Sequence, residues 1–188
     1  GIHITTIENE SFGIGDFDKK FSIQSVSKVF ALTLAYKFED TKLWERVGIE
    51  PSGNPFNSLL QLETDHGKPR NPFINSGAIV ICDVLLSHLK NPKEDFLNFC
   101  KELSNNSSLN YNEKVAQSEK KSGYRNSALC NFIKSFGNIK NDVDEVLDFY
   151  LDGDEPAYVD MPIWYTHNIK NIGDEVLYTN FWINEPYN

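Results

Sequence analysis

From residue 25 to about 38 the chain places Val26, Val29, Phe30, Leu32 and Leu34 on nearly every side of an expected helix. A helix that is apolar all round has no face to offer water, so it is stable only inside a core. The rest of the fold must be arranged around it. Upstream, residues 1–7 alternate in strand fashion, and residues 11–15 return after the turn residues Glu8, Asn9 and Glu10, which predicts a hairpin. Downstream, residues 48–56 hold two prolines and two glycines and read as loop, with a second irregular stretch at 69–72. Asn75 or Ser76 is expected to cap a helix running to about Leu89, and Pro92 sits near the first position of another that ends near Leu103. A polar loop follows at 104–112, and further helices are expected from about 125 to 136 and from 142 to 150. The fold class is therefore mixed α+β, mostly helical with an N-terminal β-hairpin.

The charge balance narrows the range of functions. Eighteen basic side chains against 27 acidic ones give a formal charge of −9 over 188 residues, which argues against a nucleic-acid partner. No apolar run approaches the roughly eighteen residues of a membrane span, and the chain opens without the pattern of an export signal. Cys82, Cys100 and Cys130 are odd in number and far apart, so neither a disulfide framework nor a metal knuckle is expected. These features predict a cytoplasmic protein. The last 38 residues stand apart: seven acids and one lysine give them a net charge of −6, against −3 for the first 150. Seven aromatics also fall there, and strand-like runs appear at 158–161 and 175–183. A domain boundary is expected at 150/151.

Ser25-Val26-Ser27-Lys28 is the first candidate for chemistry. A serine hydroxyl needs a base within hydrogen-bond reach, and on a helix residues i and i+3 share a face. The helix start adds positive potential where an oxyanion would form. The lysine must be neutral to accept a proton, which requires a shift worth roughly 4–5 kcal/mol from burial and neighbouring charge. The spacing alone is not specific, because Ser87/Lys90 and Ser118/Lys121 repeat it; the plain alternative for Ser25 is a helix cap. Lys121-Ser122-Gly123 imitates an element that penicillin-recognising enzymes carry on a strand, but no strand pattern surrounds it here. Asn75 reads as a cap or an amide donor to a ligand. Glu119 and Asn126 are seven residues apart and would share a helical face, except that Gly123 interrupts the stretch. His3, His66, His88 and His167 are scattered, without metal-ligand spacing.

Longer blocks are more specific. Residues 21–28 (FSIQSVSK), 44–48 (WERVG), 50–59 (EPSGNPFNSL), 69–78 (PRNPFINSGA) and 134–138 (KSFGN) closely resemble the bacterial-type serine-dependent glutaminases, in that family's order and near its spacing, over residues 1–150. The resemblance implies the serine β-lactamase/penicillin-binding-protein fold, and hydrolysis of L-glutamine to L-glutamate and ammonia without cofactor or metal. It also implies association as a homo-oligomer. Carried over by motif, Ser25 is the nucleophile, Lys28 its base, and Asn75, Glu119, Asn126 and Tyr150 are substrate-site residues, with Tyr150 sharing in proton transfer. A carboxylate such as Glu119 suits the substrate's ammonium, and amides suit its carboxylate.

Beyond Tyr150 the resemblance stops. The family's further helix, its Lys-Ser-Gly strand and its glycine-rich loop are not found, nor is its N-terminal helical segment, so the fold is expected to be incomplete. A substrate-contacting tyrosine and one oxyanion donor go with them; such a donor is typically worth ~2.7–4 kcal/mol in the transition state. Residues 158–173 and 181–185 resemble instead the C-terminal cupin domain of capsular-polysaccharide UDP-sugar reductases, with Pro162, His167 and Asn171 fitting one cupin motif. The paired histidines and glutamate of the other motif are absent, so no metal site is expected. Three readings therefore stand at this point. One is a glutaminase; another is a glutaminase-like module that at most binds its amino acid; the third is a cupin-like piece of a sugar-nucleotide enzyme.

Overall fold

The structure is a computed structural model, and it describes residues 1–151 except Asn9 and Phe21. Its centre is not the helix that the sequence puts forward but one farther along the chain. Helix α4 (Asn75–His88) is buried at every position from Asn75 to Leu85. The reason lies in its composition: Ile79, Val80, Ile81, Val84 and Leu85 supply apolar surface on all sides, and Asp83 is the only charge in this stretch. Its first turn is small. A Cβ on Gly77 would stand 1.9 Å from the Asn71 carbonyl oxygen, so only glycine lets the preceding segment lie against the helix.

Helices α1 (Ser27–Glu39), α7 (Tyr124–Ser135) and α8 (Val143–Leu151) pack on α4, and α5 (Pro92–Ser104) packs on α1. Fully buried Leu85, Leu129, Ile133 and Val146 lie where these helices meet. In α1 the expectation of all-round burial fails. Ser27, Lys28, Leu34 and Ala35 are buried, whereas Val26 before the helix and Val29, Tyr36 and Phe38 within it are exposed. Only one side of this cylinder meets α4 and α5, and the opposite side is uncovered among the described residues.

Between α1 and α4 lie two short helices, α2 (Leu43–Arg46) and α3 (Leu59–Thr64), the latter capped by the Ser58 hydroxyl, which accepts from the Gln61 amide. The two irregular stretches of the sequence are joined to each other. Gly48 N donates to Pro69 O (2.7 Å), Glu50 N to Arg70 O (2.8 Å) and Asn75 N to Phe56 O (3.1 Å). After α5, whose end is marked by Asn105 in the left-handed region, α6 (Glu113–Ser122) is capped by Asn112. The polar composition of α6 hides it from a reading based on apolar periodicity. Gly123 separates α6 from α7, so Glu119 and Asn126 lie on different helices.

Strands β1 (Ile2–Thr5) and β2 (Ser11–Ile14) form the expected antiparallel hairpin, Ile2 facing Ile14 and Ile4 facing Phe12. Both strands are exposed throughout. The described part of the chain is thus mostly helical with one N-terminal hairpin, as expected. The 150/151 boundary and the cupin-like stretch with Pro162, His167 and Asn171 concern residues that lie outside the described ones, apart from their first position. Among the described residues no helix is long and apolar enough to cross a membrane.

Candidate active site

A single 3-10 turn, Gln24–Val26, leads into α1, so Ser25 precedes the helix and does not belong to it. Nor does Ser25 cap it. Val26 holds the capping position without a side-chain bond, and the Ser25 Oγ is buried with no hydrogen-bond partner among the described residues. A buried hydroxyl with no partner costs about 1–3 kcal/mol, so the plain reading of Ser25 as a cap gives way.

Lys28, in the first turn of α1, is only 6% exposed. Its Nζ donates to the Phe73 carbonyl oxygen (3.2 Å) and to Asn75 Oδ1 (3.0 Å). The Asn75 amide in turn donates through Nδ2 to Asn126 Oδ1 on α7 (3.2 Å). Three helices thereby deliver Lys28, Asn75 and Asn126 into one buried chain of hydrogen bonds. Asn75 is not the cap that sequence reasoning allows. It is the first residue of α4, Ile74 holds the capping position, and its side chain is committed to Lys28 and Asn126.

The expected contact between Ser25 and Lys28 is not made in this structure, since the Ser25 hydroxyl bonds to nothing described while the lysine amine turns to the 73–75 segment. Catalytic hydrogen bonds are often long before substrate is bound, so this geometry is compatible with a base three residues away. Tyr150, near the end of α8, is buried. It lines a mostly apolar hollow with Lys28, Ala78, Cys82 and Phe96, and Ser25 is not part of that wall. Glu119 falls on α6, and its side chain lies outside the described part of the molecule.

Sequence reasoning missed the groups that hold this chain in place. The carbonyl of Phe73 is one. Asn71 is another: its Oδ1 accepts from Phe73 N (3.0 Å) and Ile74 N (3.1 Å), and its Nδ2 donates to Glu50 O (2.9 Å). Asn71-Pro72 ahead of a helix start is a turn signal that points to such a role. The other Ser-x-x-Lys pairs stay apart from any site. The Ser87 hydroxyl donates to the Asp83 carbonyl within α4, and Ser118 and the end of α6 at Lys121 and Ser122 are exposed. His88 pairs with Glu39 at the surface, and His3 stacks on Phe17.

A second buried polar cluster sits on the other half of α4. Asp83 is fully buried; its carboxylate accepts from Arg46 Nη2, from the backbone amides of Lys140 and Asn141, and from the Asn141 side chain. Burial pushes its pKa up, but these donors outweigh burial and hold it below the usual carboxylate range. Beside it the Cys130 thiol is pushed up to about 12, first by burial and then by the Asp83 charge.

Comparison with known proteins bears on residues 1–153, which match the Glutaminase family profile. Residues 134–188 match the profile of a Polysaccharide biosynthesis C-terminal domain, a partial match that overlaps the first. Curated glutaminases of Saccharophagus degradans and Aliarcobacter butzleri are 57% and 54% identical to this chain over 151 and 149 residues. The aligned part is 80% and 79% of this chain but 49% of each relative. The chain thus spans about half the length of the curated relatives it matches. The solved structure of a probable glutaminase superposes with a TM-score of 0.74 at 29% identity, and a probable glutaminase of Bacillus subtilis with 0.70 at 30%. In both, 80% of this chain and 49% of the other are covered.

Proposed function

The chain belongs to the glutaminase family, and from that premise we propose that it hydrolyses L-glutamine to L-glutamate and ammonia through an acyl-enzyme on Ser25. The observation that carries this reading is the buried Ser25 hydroxyl with no described partner, three residues before a buried lysine held by two carbonyl oxygens. Folded proteins satisfy nearly all their buried polar groups, and a catalytic role is one of the reasons that leave such a group open.

In the proposed reaction Ser25 Oγ attacks the carbon of the side-chain amide, and its proton passes to uncharged Lys28. The C–N bond then breaks, the proton leaves with ammonia, and water cleaves the ester, returning the hydroxyl to Ser25. Tyr150, which shares the hollow with Lys28, assists the proton transfer. Asn75 and Asn126 bind the amino acid alongside Glu119, whose carboxylate pairs with the substrate ammonium. No cofactor takes part. The proposal includes association of copies as a homo-oligomer, as the resemblance implies.

The decisive measurement is ammonia release from glutamine by the whole chain and by Ser25→Ala. A Ser25-dependent rate is the expected result, and equal rates in both overturn it. Glutamine binding without turnover is the second reading, favoured by a Ser25 hydroxyl and a Lys28 amine that do not bond to each other in this structure. For residues 151–188 we propose a separate β-rich, cupin-like unit, which the partial match over 134–188 supports. Binding of a UDP-sugar by a chain indifferent to glutamine would shift the weight to that unit.

A further inference from the structure

We propose that Asn71 is a positioning residue for Lys28, acting through the segment that links them. The inference deepens the reading of Ser25 and Lys28 given above and rests on it. Four groups converge on Asn71. Its Oδ1 takes the backbone amides of Phe73 and Ile74 at 3.0 and 3.1 Å, closing a turn immediately ahead of α4. Its Nδ2 ties that turn to Glu50 O at 2.9 Å, in the loop between α2 and α3. Its main-chain oxygen lies so close to Gly77 that a Cβ there would reach it at 1.9 Å.

The consequence is geometric. Of the three residues between Asn71 and Asn75, Pro72 has its φ fixed by the ring but Phe73 and Ile74 keep two soft torsions each, and free in solution they would scatter the two oxygens that Lys28 meets. With both amides of Phe73 and Ile74 fixed on one side-chain oxygen, the Phe73 carbonyl and the Asn75 side chain are presented together. They stand 3.2 and 3.0 Å from the lysine Nζ. The amine then has a fixed direction before substrate arrives. A displacement of about 1 Å at a reacting group is enough to cost about 10²-fold in rate. The described hydrogen bonds of the Asn71 side chain go to Phe73, Ile74 and Glu50, so its effect on the amine passes through Phe73 and Asn75.

The test compares Asn71→Ala, Asn71→Ser and Asn138→Ala in the full chain. Serine keeps a hydroxyl acceptor for the turn amides but loses the tether to Glu50. Asn138 is a control for general loosening, since its side chain links Arg46 and Gly67 and makes no described bond to the Lys28 chain. The readouts are the 13Cε resonance of Lys28 in lysine-labelled protein and the rate at which a fluorophosphonate labels Ser25. Asn71→Ala is expected to move the Lys28 resonance to that of the solvated lysines and to slow labelling about 10²-fold, the lower range for a positioned base. Asn71→Ser and Asn138→Ala are expected to keep the wild-type resonance.

An unmoved resonance in Asn71→Ala overturns the proposal, as does an equal movement in Asn138→Ala. If Asn71→Ala does not fold, Asn71→Ser decides, because full displacement of its resonance removes the turn amides from the explanation. The resonance reports on Lys28 whether or not the chain turns over. Absence of Ser25-dependent ammonia release would therefore count against the proposed function and leave this result readable.

Discussion

Helix α4 carries two buried polar clusters, one at its N-terminal end around Asn75 and one farther along around Asp83, and they are built on opposite principles. Around Asp83 every oxygen is used: Oδ1 takes the Lys140 amide (3.0 Å), the Asn141 amide (2.8 Å) and the Asn141 side chain (2.9 Å), while Oδ2 takes Arg46 and a second bond from Lys140 (3.1 Å). Around Asn75 the lysine and both asparagines are bonded, yet the hydroxyl that precedes them has no described partner. Both clusters required desolvation of polar groups. One recovers that cost locally and joins α2, α4 and the 138–141 stretch. The other leaves part of it unrecovered at Ser25, the hydroxyl proposed above as the nucleophile.

Removing the saturated hub is expected to have the largest effect. Asp83→Ala leaves Arg46 and two backbone amides without their acceptor, and the loss expected for breaking such a buried pair is about 3–5 kcal/mol, read from urea unfolding. A loss within experimental error of zero would dissolve the contrast. The pH dependence has a definite sign. The folded Asp83 pKa lies below its unfolded value of about 3.9, so its contribution is fully present above that value and is lost as pH falls through the folded pKa. The stability gap between wild type and Asp83→Asn should accordingly close on acidification and stay open at neutral pH.

Smaller effects sharpen the same contrast. Asn138→Ala removes three bonds that lock Arg46 and Gly67, and should cost about 1–3 kcal/mol. Ser25→Ala should go the other way. It deletes a buried hydroxyl that has no described partner, so thermal unfolding should find it no less stable than wild type, with a gain of up to about 1 kcal/mol, while Ser25-dependent activity disappears. A clear destabilisation by Ser25→Ala would mean that the hydroxyl is structural. The smallest signal is chemical. With its thiol pushed up to about 12, Cys130 should resist alkylation at pH 8 in the folded chain and react only on unfolding, as mass spectrometry of the labelled peptide would show.

Part of the candidate site is legible in the sequence, and the particular residues show why. Ser25 and Lys28 announce themselves because a serine and a lysine three apart form a local pattern. Asn75 and Asn126 each stand out as polar candidates, but 51 residues separate them and nothing in the intervening sequence says that they meet. Asn71 escaped notice because an asparagine before a helix is ordinarily a turn residue, and its importance depends on what Phe73 and Asn75 face. The helices followed the same rule. α5, with Pro92 at its start, was readable from end signals, whereas α6 is too polar for periodicity to reveal. The exposed side of α1 departs from the sequence expectation because apolar composition states what a helix is able to bury and not how many neighbours it has.

What the sequence determined by itself was local: where chain direction breaks at glycine and proline, which segments wind into most of the helices, and which polar side chains of suitable type lie a helical turn apart. Torsional preference and side-chain spacing act over a few residues, so these are readable without folding anything. Only the tertiary structure decided that α4 and not α1 is the centre, that the Lys28 amine rests on the 73–75 oxygens, and that Asp83 is satisfied while Ser25 is not. Those outcomes depend on which distant surfaces pack together, and hydrogen bonds are satisfied or left open only after packing has excluded water.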